Sequence, residues 1–239
     1  MRVSILQGLE GAAAAEGLAV VIDVFRAFTV APVAVANGAA LVLPADTLDE
    51  AYAKQREHPG CVLMGERNYV KQPGFDYGNS PAEIEHVDFT GRTVVHATSA
   101  GTRGLAAASG ADELLAGAFV TAGAMVRYIR SRDPETVSLV AMGAEGVEPS
   151  AEDTLCAMYL KNELEGYPND ITALRRYLAT IPSAAKFFDP EADYAPERDY
   201  ALCLDLDRYD FVLRATRKEG VLRLDAVRPE GDGAKGAGA

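Results

Sequence analysis

From residue 3 to residue 142, short aliphatic runs alternate with helical patterns, and this alternation limits the fold more than any other feature of the chain. Strand candidates fall at 3–6, 19–23, 40–44, 61–65, 93–98, 113–116 and 136–142, and helices are predicted over 27–37, 47–57, 102–109 and 121–131. Strands that return through helices lie side by side in a parallel sheet. Ala19-Val20-Val21-Ile22 is apolar without a break, as in a strand buried on both faces. The expected fold is α/β, a layered α/β/α arrangement with a largely parallel or mixed sheet.

The rhythm changes towards the C-terminus. An amphipathic helix is predicted over 152–164 with Ser150 as its N-cap, followed by helical pieces at 171–179 and 183–188 and a loop at 189–198. Segments 200–206, 211–216 and 221–227 read as a short antiparallel strand set, with Glu219-Gly220 as a turn. Residues 1–228 are expected to form one α/β catalytic unit, with 110–120 as the place where two α/β subdomains would divide. The Gly/Ala-rich stretch 229–239 reads as a disordered tail. Asn37-Gly38 reads as a helix end, Asp46 as the N-cap of the next helix, and Ser80-Pro81 as a helix start with Ser80 capping. Segment 66–80 contains Pro73, Gly74 and Gly78 and has no periodicity; loops of that length in compact folds tend to carry function.

Thirty-five acidic residues against 23 basic ones give a net charge of −12 over 239 residues. That field disfavours nucleic acid and anionic membrane surfaces, and neither is an expected partner. A small anionic ligand would need a local group of arginines or a metal ion. No run of about 18 apolar residues is present, and the N-terminal MRVSILQGLEG is too brief for a signal peptide. Cys61, Cys156 and Cys203 form no CxxC pair, and His58, His86 and His96 lack zinc spacing. A cytoplasmic setting is therefore expected and a zinc hydrolase is not. Homo-oligomerisation is left open.

Ligands of α/β sheets bind beyond the carboxyl ends of strands. Four predicted strands run into polar clusters: Asp23-Val24-Phe25-Arg26, Gly65-Glu66-Arg67, Thr98-Ser99-Ala100-Gly101-Thr102-Arg103 and Gly143-Ala144-Glu145-Gly146. Arg26, Arg67 and Arg103 offer planar forks for phosphate, carboxylate or sulfonate oxygens. Asp23, Glu66 and Glu145, with Glu152 and Asp153 at the start of the following helix, are hard oxygen donors suited to Mg²⁺. Thr98, Ser99, Gly101 and Thr102 lead into a helix, where N–H groups and hydroxyls can cradle an anion. Such a set is the equipment of phosphoryl transfer, where catalysis is mostly charge stabilisation and positioning. Cys156, one turn into its helix, would be a nucleophile only if exposed, and His96, inside an apolar strand, reads as a core residue. The chain has no G-x-G-x-x-G after a strand, no G-x-x-x-x-G-K-[ST] and no G-x-S-x-G. Dinucleotide oxidoreductases, P-loop enzymes and α/β-hydrolases are thereby disfavoured.

In order, VIDVFRAFT, GERN…GFDYGNSP, TSAGTRGL and GAEG…SAEDTLCA resemble the 2-phosphosulfolactate phosphatase family over about residues 18–165, and DYALCLDLDRYDFV resembles its C-terminal strands. The resemblance implies a Mg²⁺-dependent phosphatase that converts 2-phosphosulfolactate to sulfolactate and phosphate, a step towards coenzyme M. Its implied substrate-binding residues are Arg26, Arg67, Asn79, Ser80, Thr98, Ser99, Gly101, Thr102 and Arg103. Asp23, Glu66, Glu145, Glu152 and Asp153 would bind or orient the metal. The catalytic candidates are Asp23, Glu66 and Cys156, with Asp23 the first choice for activating water or taking the phosphoryl group. Two positions depart from the family pattern: Ala100 stands where Asn is usual and Phe28 where Thr is frequent. They keep open action on another phosphorylated acid, a Mg²⁺-dependent lyase or isomerase, and a non-catalytic anion-binding protein.

Overall fold

The computed structural model describes residues 1–229; the rest of the expected disordered tail, 230–239, lies outside the described residues. The strands are β1 (Arg2–Gln7), β2 (Leu18–Ile22), β3 (Leu41–Ala45), β4 (Val62–Gly65), β5 (Thr93–Ala97), β6 (Glu113–Gly117), β7 (Thr136–Ala141), β8 (Val212–Lys218) and β9 (Val221–Val227). The α-helices are α1 (Gly8–Ala13), α2 (Ala27–Ala36), α3 (Leu48–Glu57), α4 (Pro81–Ile84), α5 (Gly101–Ala107), α6 (Ala122–Arg132), α7 (Ala151–Glu165), α8 (Ile171–Leu178) and α9 (Glu197–Cys203). Short 3-10 turns cover Phe119–Thr121 and Pro182–Phe187. Among the described residues no helix is long and apolar enough to cross a membrane.

The strands form one sheet in the order β1-β7-β2-β6-β8-β9-β3-β5-β4. The first four are mutually parallel, and so are the last three. The β8–β9 hairpin stands between the two sets, and its three antiparallel pairings reverse the strand direction across it. In a flat sheet, the carboxyl ends of β2 and β5 would therefore lie at opposite edges. Twist of roughly 20–25° per strand, accumulated over the five steps from β2 to β5, turns one set by about 100–125° against the other. Their exits do meet: the Gly101 N–H after β5 donates to Asp23 Oδ2 after β2 at 2.9 Å.

The mixed α/β fold agrees with the expectation from alternation, and so does an antiparallel pair near the C-terminus. Three local expectations are corrected. Segment 200–206 is not a strand: its first four residues close α9, whose buried residues Asp199, Leu202 and Cys203 follow a helical spacing. The alternation of Tyr200, Leu202 and Leu204 mimics a strand, while Pro196 at the N-cap position and Glu197 and Asp199 in the first turn mark a helix start. The N-cap of α3 is Thr47 rather than Asp46; the Thr47 hydroxyl accepts the Glu50 N–H at 3.1 Å. Helix α1 was not expected, since GLEGAA is short and carries two glycines. Ser80 does cap α4, with Pro81 in its first turn, and Gly38 takes a φ of +97° just past α2.

The main core runs along β2, β6 and β7 and their helices, and a smaller cluster of Leu43, Leu63, Val95, Ala51 and Phe75 fills the space around β3, β4 and β5. Helix α2 is buried from Ala27 to Ala34, so it carries no polar face there. Helix α5 lies close against β2. A Cβ built on Gly104 would stand 2.8 Å from Val21 Cγ1 and closer still to the Met142 sulfur. Gly104→Ala is therefore expected to lower unfolding stability by about 1–3 kcal/mol, measured by urea denaturation. A change of a few tenths would mean that α5 can move off the sheet freely.

Candidate active site

The exits of β2, β4, β5 and β7 and the first turn of α7 converge on one cleft. Its enclosed space, about 80 Å³, suits a small polar molecule or a few waters. Asp23, Glu66, Glu145, Glu152 and Asp153 all line it, so the strand-end carboxylates come together as the sequence suggested. Four of them are buried and Glu145 stands exposed at the rim.

Backbone amides hold these carboxylates. Asp23 Oδ1 accepts the Ala27 N–H at 3.1 Å and Oδ2 the Gly101 N–H at 2.9 Å. Asp153 accepts Val24 N–H on Oδ1 and Gly143 N–H on Oδ2, both at 2.8 Å, tying the β2 exit to the β7 exit. Glu66 Oε1 accepts the N–H and hydroxyl of Ser99 at 3.0 and 2.9 Å, and Oε2 accepts Tyr69 N–H at 2.6 Å. Glu152 Oε2 accepts the Ser183 hydroxyl at 2.7 Å. Gly101 is required by this packing: a Cβ there would lie 2.9 Å from Asp23 Oδ2 and 3.0 Å from Phe28 Cζ. Phe28 itself is buried behind that contact.

Two parts of the expected anion cradle are therefore used by the protein itself. The Ser99 and Gly101 donors serve Glu66 and Asp23, and Thr98 and Thr102 bond to each other while only Thr98 reaches the cleft. Ala100 lines the cleft and stands at the N-cap of α5 without a capping side chain. Ser150 occupies the N-cap position of α7, yet its hydroxyl makes no capping bond; it is buried at the cleft without a partner among the described residues.

The arginines separate. Arg26 lines the cleft, and its Nη1 bonds to Asp199 Oδ2 at 2.5 Å and to the Tyr194 carbonyl at 2.7 Å. The pair is fully withdrawn from water, with side chains 2% and 0% exposed. The Phe25–Arg26 peptide bond is cis. Arg67 and Arg103 do not line the cleft. Arg67 donates to the carbonyls of Thr98 and Asp46 at 2.9 and 3.0 Å, and Arg103 pairs with Asp46 at 3.7 Å. Asn79 lines the cleft, whereas Ser80 faces the neighbouring groove and donates to Asp199 Oδ1 at 2.7 Å. Cys156 is fully buried and outside the cleft lining, and burial pushes its thiol well above 9.

Sequence reasoning missed Lys186, Asp199 and Ser183. Lys186 lines the cleft from the Pro182–Phe187 turn. Its Nζ lies 4.9 Å from the centre of the Tyr69 ring and 5.2 Å from that of Phe187, cation–π contacts in place of a carboxylate partner. Burial and the nearby Arg26 lower its pKa. Ser183 and Lys186 sit in no motif, and Asp199 opens the DYALCLDLDRYDFV stretch without standing out in it; the one signal is the lone lysine of SAAKFF. The loop 66–80 supplies the other side of this contact. Its tip is a tight turn between Arg67 and Val70, paired at 3.0 and 3.2 Å, with Asn68 and Tyr69 left-handed at φ 54° and 65°.

Among the described residues no Lys or Arg forms a salt bridge with the five cleft carboxylates. Burial, offset in part by its two amide donors and reinforced by Glu66 and Glu152, raises Asp23 to about 6. Burial, with Asp23 and Glu152 beside it, raises Asp153 well above the ordinary range. As the side chains lie, no three His, Cys, Asp or Glu residues among those described stand close enough to cage a metal ion. Mg²⁺ asks for less, binding through one or two carboxylates with water and a substrate phosphate. Among the described residues Glu152 Oε1 has no donor, and Asp23 lines the same cleft, so the donor chemistry of this pair suits the ion.

A profile of the 2-phosphosulpholactate phosphatase family matches residues 4–218. Among curated proteins, a probable 2-phosphosulfolactate phosphatase of Thermotoga petrophila is 33% identical over 205 residues, 81% of this chain and 87% of its own length. One from Bacillus subtilis is 31% identical over 232 residues, 95% of this chain and 99% of its own. One from Thermoplasma acidophilum is 31% identical over 193 residues, 81% and 83% of the two chains.

Asp23 is expected to titrate with a midpoint near 6, read by carbon NMR of its side-chain carboxyl in metal-free buffer. Because the folded value exceeds the ordinary 3.8, the stability this group contributes is full below 3.8 and lost as pH rises through about 6. The difference corresponds to roughly 3 kcal/mol. A midpoint near 4 would mean that the cleft is wetter than its burial implies.

Proposed function

The chain belongs to the 2-phosphosulpholactate phosphatase family, and from that premise we propose that it hydrolyses 2-phosphosulfolactate to sulfolactate and phosphate with Mg²⁺. It is a phosphoric monoester hydrolase. The observation that carries the reading is the composition of the cleft, where buried carboxylates without cationic partners face Arg26 and Lys186. The cytoplasm, where the reducing setting of three unpaired cysteines is kept, is the proposed location.

The two sides of the cleft divide the work. Lys186 and the Arg26 N–H groups that Asp199 and Tyr194 leave free take the acidic groups of the substrate. Asn79 and Ser150 add neutral polar contacts. Glu152 and Asp23 would hold Mg²⁺, with Glu66, Glu145 and Asp153 around them. When bound, Mg²⁺ supplies positive charge against the phosphoryl oxygens and offsets the carboxylates. Asp23 keeps a lone pair on each oxygen beyond its amide donors, so one oxygen is open to a cation and the other to water. In the reaction the water oxygen joins phosphorus and the ester P–O bond breaks with its electron pair on the sulfolactate oxygen; Asp23 accepts a proton from the attacking water, and the sulfolactate oxygen takes a proton from solvent to leave as the hydroxyl. Raised to about 6 without metal, the Asp23 carboxyl would be kept ionised by the cation beside it, as a proton acceptor must be.

Purified protein is expected to release phosphate from 2-phosphosulfolactate in Mg²⁺ buffer and to stop in EDTA. Lys186→Met should raise KM about tenfold to a hundredfold while the fold stays intact, the value of a charge-assisted contact. Turnover that ignores EDTA would remove the metal from this reading. An unchanged KM in Lys186→Met would remove Lys186 from the binding wall.

A further inference from the structure

His96 belongs to β5, is 1% exposed, and is used by no step described above. Its Nε2 lies 3.1 Å from Asn79 Oδ1, and its Nδ1 is buried with no partner among the described residues. Burial pushes its pKa down to about 4, so the ring is neutral and carries one proton. A proton on Nδ1 would leave a buried N–H unpaired, whereas a proton on Nε2 leaves only a lone pair unpaired, the cheaper vacancy. Nε2–H is then the donor and Asn79 Oδ1 the acceptor. That bond fixes which end of the amide points to the core. The Asn79 NH₂ has no acceptor among the described residues, is not sealed from solvent, and belongs to a residue that lines the cleft. A free side-chain amide would rotate by half a turn and present oxygen or nitrogen alike; an amide held through its oxygen presents only nitrogen.

We infer that Asn79 donates its amide N–H to an oxyanion of the bound substrate, and that His96 is the positioning residue that holds Asn79 in that orientation. An acceptor presented there would repel the anion instead. The inference rests on the phosphatase reading for the substrate but not for the geometry. Asn79 is followed by Ser80, whose hydroxyl is bound by Asp199, so the backbone on this side is fixed while His96 fixes the side chain.

In the resting protein, long-range proton–nitrogen NMR is expected to show His96 protonated on Nε2 only; a proton on Nδ1 overturns the inference whatever the substrate is. With Mg²⁺ present, inorganic phosphate is expected to move the Asn79 side-chain NH₂ resonance in the wild-type protein, and a resonance that stays put at saturating phosphate also overturns it. In kinetics, Asn79→Ala and His96→Leu should each raise KM for 2-phosphosulfolactate about tenfold to a hundredfold, with kcat changed less. The double variant should be no worse than the worse single one, because both break the same contact. His96→Gln, which keeps an N–H donor on a side chain of similar reach, should bring KM back to within about threefold of the wild type. Fully additive effects, or a folded His96→Gln as impaired as Asn79→Ala, overturn the positioning role. If His96→Leu fails to fold, the comparison of His96→Gln with Asn79→Ala carries the kinetic test. Wild-type protein that turns over nothing, yet shows the tautomer and the phosphate response, would sink the substrate assignment and leave this inference standing.

Discussion

Everything in the cleft depends on buried carboxylates that accept backbone N–H groups from strand exits. Asp153 takes one amide beside β2 and one beside β7; Asp23 takes one from the start of α2 and one from the start of α5. The two parallel sets of strands run in opposite directions, so no ladder of the sheet joins the β2 exit to the β5 exit. The Asp23–Gly101 bond does so directly. Burying a carboxylate is costly unless donors replace its water, and amides at chain turns are donors that helix and sheet do not use. The same grip that closes the fold therefore fixes the carboxylate oxygens of the cleft. Its cost appears in the raised values of Asp23 and Asp153, since two amides each do not fully replace bulk water next to other carboxylates.

A second tie comes from the far end of the chain. Asp199, in α9, accepts Arg26 Nη1, the Ser80 hydroxyl and the Ala82 N–H at 2.5, 2.7 and 2.9 Å. A buried ion pair gains little net stability, because desolvation of both charges consumes most of their attraction. Its use here is geometric. Arg26 follows Asp23 by three residues and is held on one nitrogen from α9, so the cleft has one immobile cation beside its central carboxylate. Lys186 differs in kind: it rests on aromatic faces and holds no carboxylate among the described residues.

The sheet was legible because its parallel strands are aliphatic runs such as Ala19-Val20-Val21-Ile22 that alternate with helical patterns, and because four of the runs end in polar clusters. The carboxylates of the cleft were legible for the same reason, as strand-end positions converge whatever the order of the strands. The arginines were not. Arg67 and Arg103 occupy strand-end positions too, but backbone carbonyls and Asp46 hold them away from the cleft, and sequence spacing does not encode which way a long side chain turns. The placement of β8–β9 at the centre of the sheet was hidden because pairing with β6 and β3 is a contact across about a hundred residues or more. Residues 200–206 misled because alternation of Tyr200, Leu202 and Leu204 satisfies a strand while Asp199, Leu202 and Cys203 satisfy a helix. Lys186 lies in a segment with no motif and Asp199 at the very start of the DYALCLDLDRYDFV stretch, and only tertiary packing brings them to the site.

The charges of the cleft decide what can enter it. With Asp23, Glu66, Glu152 and Asp153 all ionised, the buried wall carries four negative charges. Arg26 is cancelled by Asp199, so among the described residues Lys186 alone opposes them and the balance is −3. A phosphate ester adds about two more negative charges near neutral pH. Such a ligand cannot be held on donors alone against that field; it has to arrive with a divalent cation or with protons on the carboxylates. The raised values of Asp23 and Asp153 are the protonic answer, at work in the absence of metal. Held by Glu152 and Asp23, a divalent cation would bring that balance from −3 to −1 and keep Asp23 ionised, as the proposed chemistry needs of a base. On the proposed reading, net acidity of the chain and an anionic substrate are compatible, because a cleft of this charge would take the anion together with a cation or with protons.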